Sequence, residues 1–155
     1  YHPKNSHVIP ALIRRFHEAK INGCSKVIVW GSGNALREFL YVDDMAEASI
    51  FVMNLDKDSY KTKIKNNLSH LNIGSGYDLS IKDLANEISK IVGFKGKIEW
   101  DTSKPDGTPK KLLSIEKIQS MGWRPRINLH DGLKKTYINY LDEYESENKN
   151  AGFHA

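Results

Sequence analysis

Val27-Ile28-Val29-Trp30-Gly31-Ser32-Gly33 and Arg37-Glu38-Phe39-Leu40-Tyr41-Val42-Asp43-Asp44-Met45-Ala46 are the stretches whose reading decides the fold. The first is a β-branched run broken by two glycines, the pattern of a buried strand entering a tight turn. The second sets an arginine ahead of a short apolar run that stops at two aspartates. We read Glu38 to Val42 as the next strand. Carboxylates at such a boundary can cap the following helix by accepting its first free N–H groups. An arginine between a glycine turn and a short strand is well placed to face an anion.

Strands and helices interleave in both directions from this centre. Upstream, Ser6 is a candidate N-cap, and Val8, Ile9, Leu12, Ile13 and Phe16 follow at helical spacing. Pro10 falls in or near the first turn, where its missing N–H costs least. The helix should end before Asn22-Gly23, and Lys26 to Trp30 should be the strand. Downstream, Asp44 to about Leu55 reads as an amphipathic helix with Met45, Ala48, Ile50, Val52 and Met53 as its apolar members. Lys57, Lys61, Lys63 and Lys65 read as a solvated loop. Ser69 to Ile73 reads as a strand ending at Gly74-Ser75-Gly76. Ser80-Ile81-Lys82-Asp83 has the form of a capping box, with Asp in the Glu/Gln place. Its helix shows Leu84, Ile88, Ile91 and Val92, and Gly93 stops it. Lys97 to Trp100 is a short strand, Ser103 to Pro109 a loop, and Ile115 to Met121 a short helix. A last helix starts near Asn128 with Leu129, Leu133, Tyr137, Leu141 and Tyr144 on one face. The fold class is α/β, with a sheet too small to close by itself.

The chain has 155 residues, enough for one domain with a real core, and is 39% hydrophobic and 27% charged. No apolar run is long enough to span a membrane. The single cysteine, Cys24, excludes an intrachain disulfide and fits a cytoplasmic origin. A net charge of +4 and a pI near 9.0 permit nucleic-acid binding without arguing for it. The aromatics sit mostly at core spacing, not interleaved with basic groups on an exposed face. Neither nucleic acid nor membrane is expected as a partner.

The wording of the chain is more specific than these physical patterns. The stretch 37–46, together with Asn5-Ser6-His7-Val8-Ile9-Pro10-Ala11-Leu12-Ile13-Arg14-Arg15-Phe16-His17 and Ser103-Lys104-Pro105-Asp106-Gly107-Thr108-Pro109-Lys110-Lys111-Leu112-Leu113, resembles the C-terminal half of the extended short-chain dehydrogenase/reductase family. Within it, the similarity points to the branch that epimerises and reduces GDP-4-keto-6-deoxy-D-mannose to GDP-L-fucose. It runs from about Tyr1 to about Tyr144. The resemblance implies a substrate-binding part over residues 1–146, with about 44–74 packing on an absent Rossmann domain as elements returning to its sheet. It leaves 147–155 as a disordered tail. It further implies NADP(H), bound mainly by the absent N-terminal half, and a homodimer when intact.

That half is expected to be missing because its chemistry is missing. A dinucleotide-binding turn needs a longer glycine fingerprint than Gly31-Ser32-Gly33 or Gly74-Ser75-Gly76 supplies. The family's reductase pair, a Tyr with a Lys four residues later, does not occur. The chain alone should therefore reduce nothing.

The resemblance assigns His7 to the epimerisation step, close to the nicotinamide, so that it is both a catalytic and a cofactor-contacting residue. Epimerisation beside a ketone needs a base on one face and an acid on the other, and a histidine suits either role. By residue type alone, a helix-capping or surface histidine is the commoner case. Arg15 and Arg37 are candidate ligands of the substrate diphosphate, because paired guanidinium forks make bidentate contacts that lysine reproduces poorly. Arg14 competes with Arg15, but neighbours on a helix point apart and one alone can face the cleft; the motif favours Arg15. Trp30 is assigned to flank a base or sugar, although a core tryptophan is the commoner case by type. Asp106 and Lys111 are assigned to the nucleotide, on a loop and just past it. Cys24, His17 and His70 carry no argued role. Ser114 stands where related sequences have an aspartate, and either residue can cap a helix. Two rivals remain: another nucleotide-sugar epimerase or dehydratase, and a non-catalytic basic binding module.

Overall fold

The computed structural model describes residues 1–2, 5–64 and 70–151. Helix α1 (Val8–Ile21) precedes strand β1 (Lys26–Trp30) and a glycine turn. Next come β2 (Leu36–Glu38), α2 (Val42–Met53) and α3 (Lys57–Lys63). Strand β3 (Asp78–Ser80) leads directly into α4 (Ile81–Val92), followed by β4 (Lys97–Asp101), β5 (Lys110–Lys111), α5 (Glu116–Ser120) and α6 (Leu129–Ala151).

The strands form two small sheets. β1 pairs with β4 in parallel from Lys26↔Lys97 to Trp30↔Asp101. β2 lies between β3, antiparallel to it, and β5, parallel to it, with Arg37 opposite Leu79 on one side and Lys111 on the other. Only one face of β1 is covered. Val27 and Val29 point into the core while Ile28 and Trp30 point out, so the strand is half-buried where its β-branched run suggested full burial.

Two cores hold the elements. The larger packs Leu12, Ile13 and Phe16 of α1 and Val27 and Val29 of β1 against Leu84, Ile88 and Val92 of α4. Leu133, Tyr137 and Tyr140 of α6 close it. The smaller gathers Ala48 of α2 with Ile115, Ile118 and Trp123. Burial of these side chains supplies the main stabilisation.

Local signals explain most boundaries. The Ser80 hydroxyl oxygen accepts from the Asp83 N–H at 3.0 Å and donates to the Asp83 carboxylate at 2.6 Å, so the Ser–Asp pair does cap α4. Gly93 ends that helix with φ +78°, a conformation that favours glycine. α1 ends at Ile21, as Asn22-Gly23 suggested.

Other expectations are corrected. His7, not Ser6, is the N-cap residue of α1, and the Ser6 hydroxyl donates to the His2 carbonyl instead. The second strand occupies Leu36–Glu38 rather than 38–42, because its partners are β3 and the short β5, which end there. α2 consequently starts at Val42, and Asp43 and Asp44 lie inside its first turn rather than capping it. The lysine stretch is partly helical: Asp56 caps α3 through the N–H groups of Asp58 and Ser59. Lys65 and Ser69 lie outside the described residues. Residues 70–73 form no strand; among the described residues nothing pairs with them, and a strand without a ladder partner has unsatisfied N–H and C=O groups. Ser114 is not the cap of α5, whose N-cap is Ile115; the Ser114 carbonyl accepts from Asn72 at 3.2 Å. Helix α6 continues past Ser146 to Ala151. Among the described residues no helix is long and apolar enough to cross a membrane.

Candidate functional site

Four of the five proposed substrate residues, Arg15, Trp30, Asp106 and Arg37, form a continuous run of neighbours, and the fifth, Lys111, extends it through the sheet. On α1, Arg15 is half-buried and its guanidinium donates to the Ile28 carbonyl of β1. Burial first, and then the charge of Arg14, lower the Arg15 pKa from its ordinary value, with Glu18 opposing them. Two residues beyond Ile28, Trp30 ends β1 with 67% of its surface exposed, and the Lys104 ammonium stands 5.8 Å from its ring centroid. This is an open aromatic face and not a core tryptophan.

The glycine turn follows at once. The Asp106 carboxylate accepts from the Ser32 N–H at 2.6 Å and from the Ser32 hydroxyl at 2.7 Å. These two bonds hold the Asp106 carboxyl below the usual carboxylate range. The next residue, Gly107, faces Arg37: a Cβ built there would lie 3.6 Å from the guanidinium. Arg37 donates to the Leu36 carbonyl at 2.7 Å, and Lys111 lies beside it in register on β5.

Arg14 points elsewhere. It holds Glu18 at 2.8 Å and lines a cavity of ≈ 380 Å³ together with Tyr1, Tyr140 and Tyr144, on the α6 side of α1. His7 is exposed at the head of α1 and makes no side-chain cap. It precedes Arg15 by eight residues, or about 12 Å along the helix axis. No contact joins it to the run described above among the described residues.

The two glycine turns do not fit a dinucleotide. Each is already filled by a carboxylate. Asp106 sits in the first. In the second, Glu38 accepts from the Gly76 N–H at 2.7 Å, and a Cβ on Gly74 would meet Glu38 Oε1 at 2.4 Å. A pyrophosphate would have to displace a like charge from either turn.

Sequence reasoning passed over three polar residues of this region. Ser32 holds Asp106. Glu38 ties Gly76 to the Leu113 N–H, which it accepts at 2.9 Å. Lys104 covers Trp30. Glu38 and Lys104 stand inside the motifs quoted above, so position beside a site residue was the available signal. The cavity of ≈ 370 Å³ lined by Phe39, Tyr77, Leu79, Arg126 and Ile127 contains none of the proposed site residues.

The α/β unit thus carries an arginine-rich, aromatic-flanked edge and, among the described residues, two glycine turns that are each filled by a carboxylate. Residues 1–74 match the model of the NAD dependent epimerase/dehydratase family. The chain is 54% identical over 142 residues to a putative GDP-L-fucose synthase 2 of Arabidopsis thaliana, covering 92% of this chain and 40% of that protein. It is 50% identical over 145 residues to the GDP-L-fucose synthase of Escherichia coli strain K12, covering 94% of this chain and 45% of that protein. The crystal structure of a GDP-L-fucose synthetase from Naegleria fowleri bound to NADP superposes with a TM-score of 0.78 at 27% identity, covering 94% of this chain and 43% of that one. The chain thus spans less than half the length of these relatives.

Proposed function

We propose that this chain is the substrate-binding part of an NADP(H)-dependent enzyme that converts GDP-4-keto-6-deoxy-D-mannose to GDP-L-fucose. The observation that carries the reading is the run Arg15–Ile28–Trp30–Ser32–Asp106–Gly107–Arg37 along one edge of the fold. Two guanidinium groups beside an exposed indole and a carboxylate suit a nucleoside diphosphate: cations for the diphosphate, a ring for the base, an acceptor for N–H or O–H donors. Lys111 adds a further cation. The relatives named as GDP-L-fucose synthases supply the particular nucleotide and sugar.

His7 takes or returns a proton at the ring carbons beside the ketone, and its position about 12 Å from Arg15 along α1 suits the reach from diphosphate to sugar. A proton donor on the other face of the ring comes from outside this chain. NADPH, when bound, supplies hydride to the ketone; it is held mainly by the residues of the absent half, because both glycine turns here are occupied by carboxylates. The chain alone is inactive on this reading.

Residues 44–74 pack on that absent nucleotide-binding domain, and the intact enzyme is a cytoplasmic homodimer. The first point is supported by α2, whose Val42, Met45, Ile50 and Met53 side chains face outward, Met53 being 83% exposed.

The test is to supply the full-length polypeptide containing these residues with GDP-4-keto-6-deoxymannose and NADPH. GDP-L-fucose should form with equimolar NADPH oxidation, and the 155-residue chain alone should give none. Turnover of a keto-sugar on another nucleotide, with none of the GDP compound, would replace this reading with that of another epimerase.

A further inference from the structure

We propose that Ser32 is a positioning residue for nucleotide recognition: it holds the Asp106 carboxylate on the turn that follows Trp30 and fixes the loop that carries Lys104 over the Trp30 ring. The proposal rests on the nucleotide-sugar reading above. Ser32 lies between Gly31 at φ +84° and Gly33 at φ +80°. A Cβ on Gly31 would come within 2.4 Å of Asp106 Oδ1, so the loop tip reaches the turn only because no side chain stands there. A Cβ on Gly33 would strike the Trp100 ring at 2.7 Å, which fixes the other side of the turn against β4.

Within this frame the Ser32 hydroxyl is used twice. It donates to Asp106 Oδ2 at 2.7 Å and accepts from the Asn34 N–H at 3.2 Å. It therefore ties the turn's own backbone to the tip of a loop 74 residues later in sequence. The loop is pinned at its root, where the Asp101 carbonyl accepts from the Lys104 N–H at 3.2 Å and the Gly31 N–H at 2.9 Å. It is pinned at its end, where the Pro109 carbonyl accepts from the Leu36 N–H at 2.8 Å. Asp106 fastens the tip between them. A carboxylate has about four lone-pair sites, and Ser32 takes one on each oxygen. The others remain available to the N–H and O–H donors of a nucleoside lying on Trp30. Alanine removes the hydroxyl and leaves the tip held by the Ser32 N–H. Threonine keeps it, and the Ser32 backbone is not in the left-handed region.

The experiment titrates GDP into the full-length polypeptide by calorimetry, using Ser32→Ala, Ser32→Thr and Arg37→Ala. Loss of one charge-assisted bond and of loop order should weaken GDP about tenfold in Ser32→Ala. Ser32→Thr should restore most of it, and KM for the GDP-sugar should rise in Ser32→Ala and recover in Ser32→Thr. The pH below which GDP is released should move up in Ser32→Ala, because the hydroxyl that holds the Asp106 carboxyl low is gone. Wild-type affinity in Ser32→Ala, or an equal loss in Ser32→Thr, overturns the positioning role. If Arg37→Ala weakens GDP in that case, the nucleotide-sugar reading stands without Ser32. If Arg37→Ala has no effect either, the reading itself falls.

Discussion

The Asp44 carboxylate, 2% exposed in the first turn of α2, accepts the Ile127 N–H at 3.0 Å across 83 residues of sequence. The neighbouring Arg126 N–H reaches its other oxygen at 3.1 Å. One buried acid thus satisfies two successive backbone donors in the segment that leads into α6. Removing it leaves both donors without that acceptor, which for bonds to a charged group costs about 2–3 kcal/mol. Asp44→Ala should therefore lower unfolding stability by about that amount in urea titration. Asp43 is exposed in the same first turn, where a carboxylate gains at most the helix-terminus field, so Asp43→Ala should cost less than about 1 kcal/mol. Equal losses would mean that the pair acts through the helix dipole and not through the 126–127 segment.

This pair also marks how far the sequence could be read. The Asp43-Asp44 motif announced a helix start, but its long-range acceptor role needed the fold, since nothing near Arg126 or Ile127 signals a carboxylate partner. The end of α1, the extent of β1 and both ends of α4 were legible because glycines, apolar spacing and the Ser80 cap act locally, whereas the expected Ser6 cap of α1 was not formed. β3 and β5 were not, being two- and three-residue strands held by pairing with β2 rather than by propensity. Trp30, Arg37 and Asp106 were legible as a group through wording alone. Spacing could not reveal that Asp106 docks on Ser32, because loop closure across 74 residues leaves no periodic trace.

His17 makes stability pH-dependent. It is buried between α1 and α6, its Nδ1 3.0 Å from the Tyr137 hydroxyl and its ring edge-on to Tyr140 and Tyr144. Its Nε2 is buried without a hydrogen-bond partner among the described residues. Burial first, and then Lys20, depress its pKa, with Glu18 opposing. Since the folded-state pKa lies below the unfolded value near 6.5, the stabilisation is complete above that pH. It is lost as pH falls through the depressed folded value, because the unfolded chain takes up the proton first. Urea midpoints should drop on acidification below about pH 6.5, and His17→Leu should flatten that limb. An unchanged slope would assign the acid response to other groups.

The same cluster gives an alkaline limb. Burial, with help from Glu18, pushes the Tyr140 phenol up to about 12. A raised folded pKa contributes stability that is present below the unfolded value near 10.0 and is lost as pH rises through about 12. Tyr140→Phe should remove the part of the decline that lies above about pH 10. Phenolate absorbance near 295 nm, an ordinary tyrosinate signature, should show one tyrosine fewer titrating late.

On the proposed reaction, His7→Gln in the full-length enzyme should abolish epimerisation while leaving GDP affinity within about 0.5 kcal/mol of wild type. The reason is geometric: His7 stands two helical turns from Arg15 and shares no contact with Trp30, Asp106 or Arg37 among the described residues. Deuterium wash-in at the ring positions beside the ketone is the readout. Normal exchange of both protons in the variant would remove His7 from the chemistry.

Arg14 and Arg15 are adjacent in sequence and separate in function on this reading. Arg15 donates to the Ile28 carbonyl, two residues before Trp30 on β1, whereas Arg14 holds Glu18 beside the α6 tyrosines, with 18% of its side chain exposed. A diphosphate gathered by Arg15 and Arg37 loses one of two charge-assisted forks when either is cut back. Truncating one partner of a desolvated charge pair costs about 2–5 kcal/mol, so Arg15→Ala and Arg37→Ala should each weaken GDP at least tenfold by calorimetry. Arg14→Ala should change GDP affinity by less than about 1 kcal/mol, as an arginine off the ligand does. It should instead lower thermal stability, because Arg14 is largely buried where it holds Glu18 beside the α6 tyrosines. The two readouts therefore part: affinity follows Arg15 and stability follows Arg14. If Arg14→Ala gives the larger loss of GDP binding, the ligand lies on the α6 side of α1 and not over β1. If none of the three arginines changes affinity, they form a solvated basic face and the diphosphate clamp is wrong.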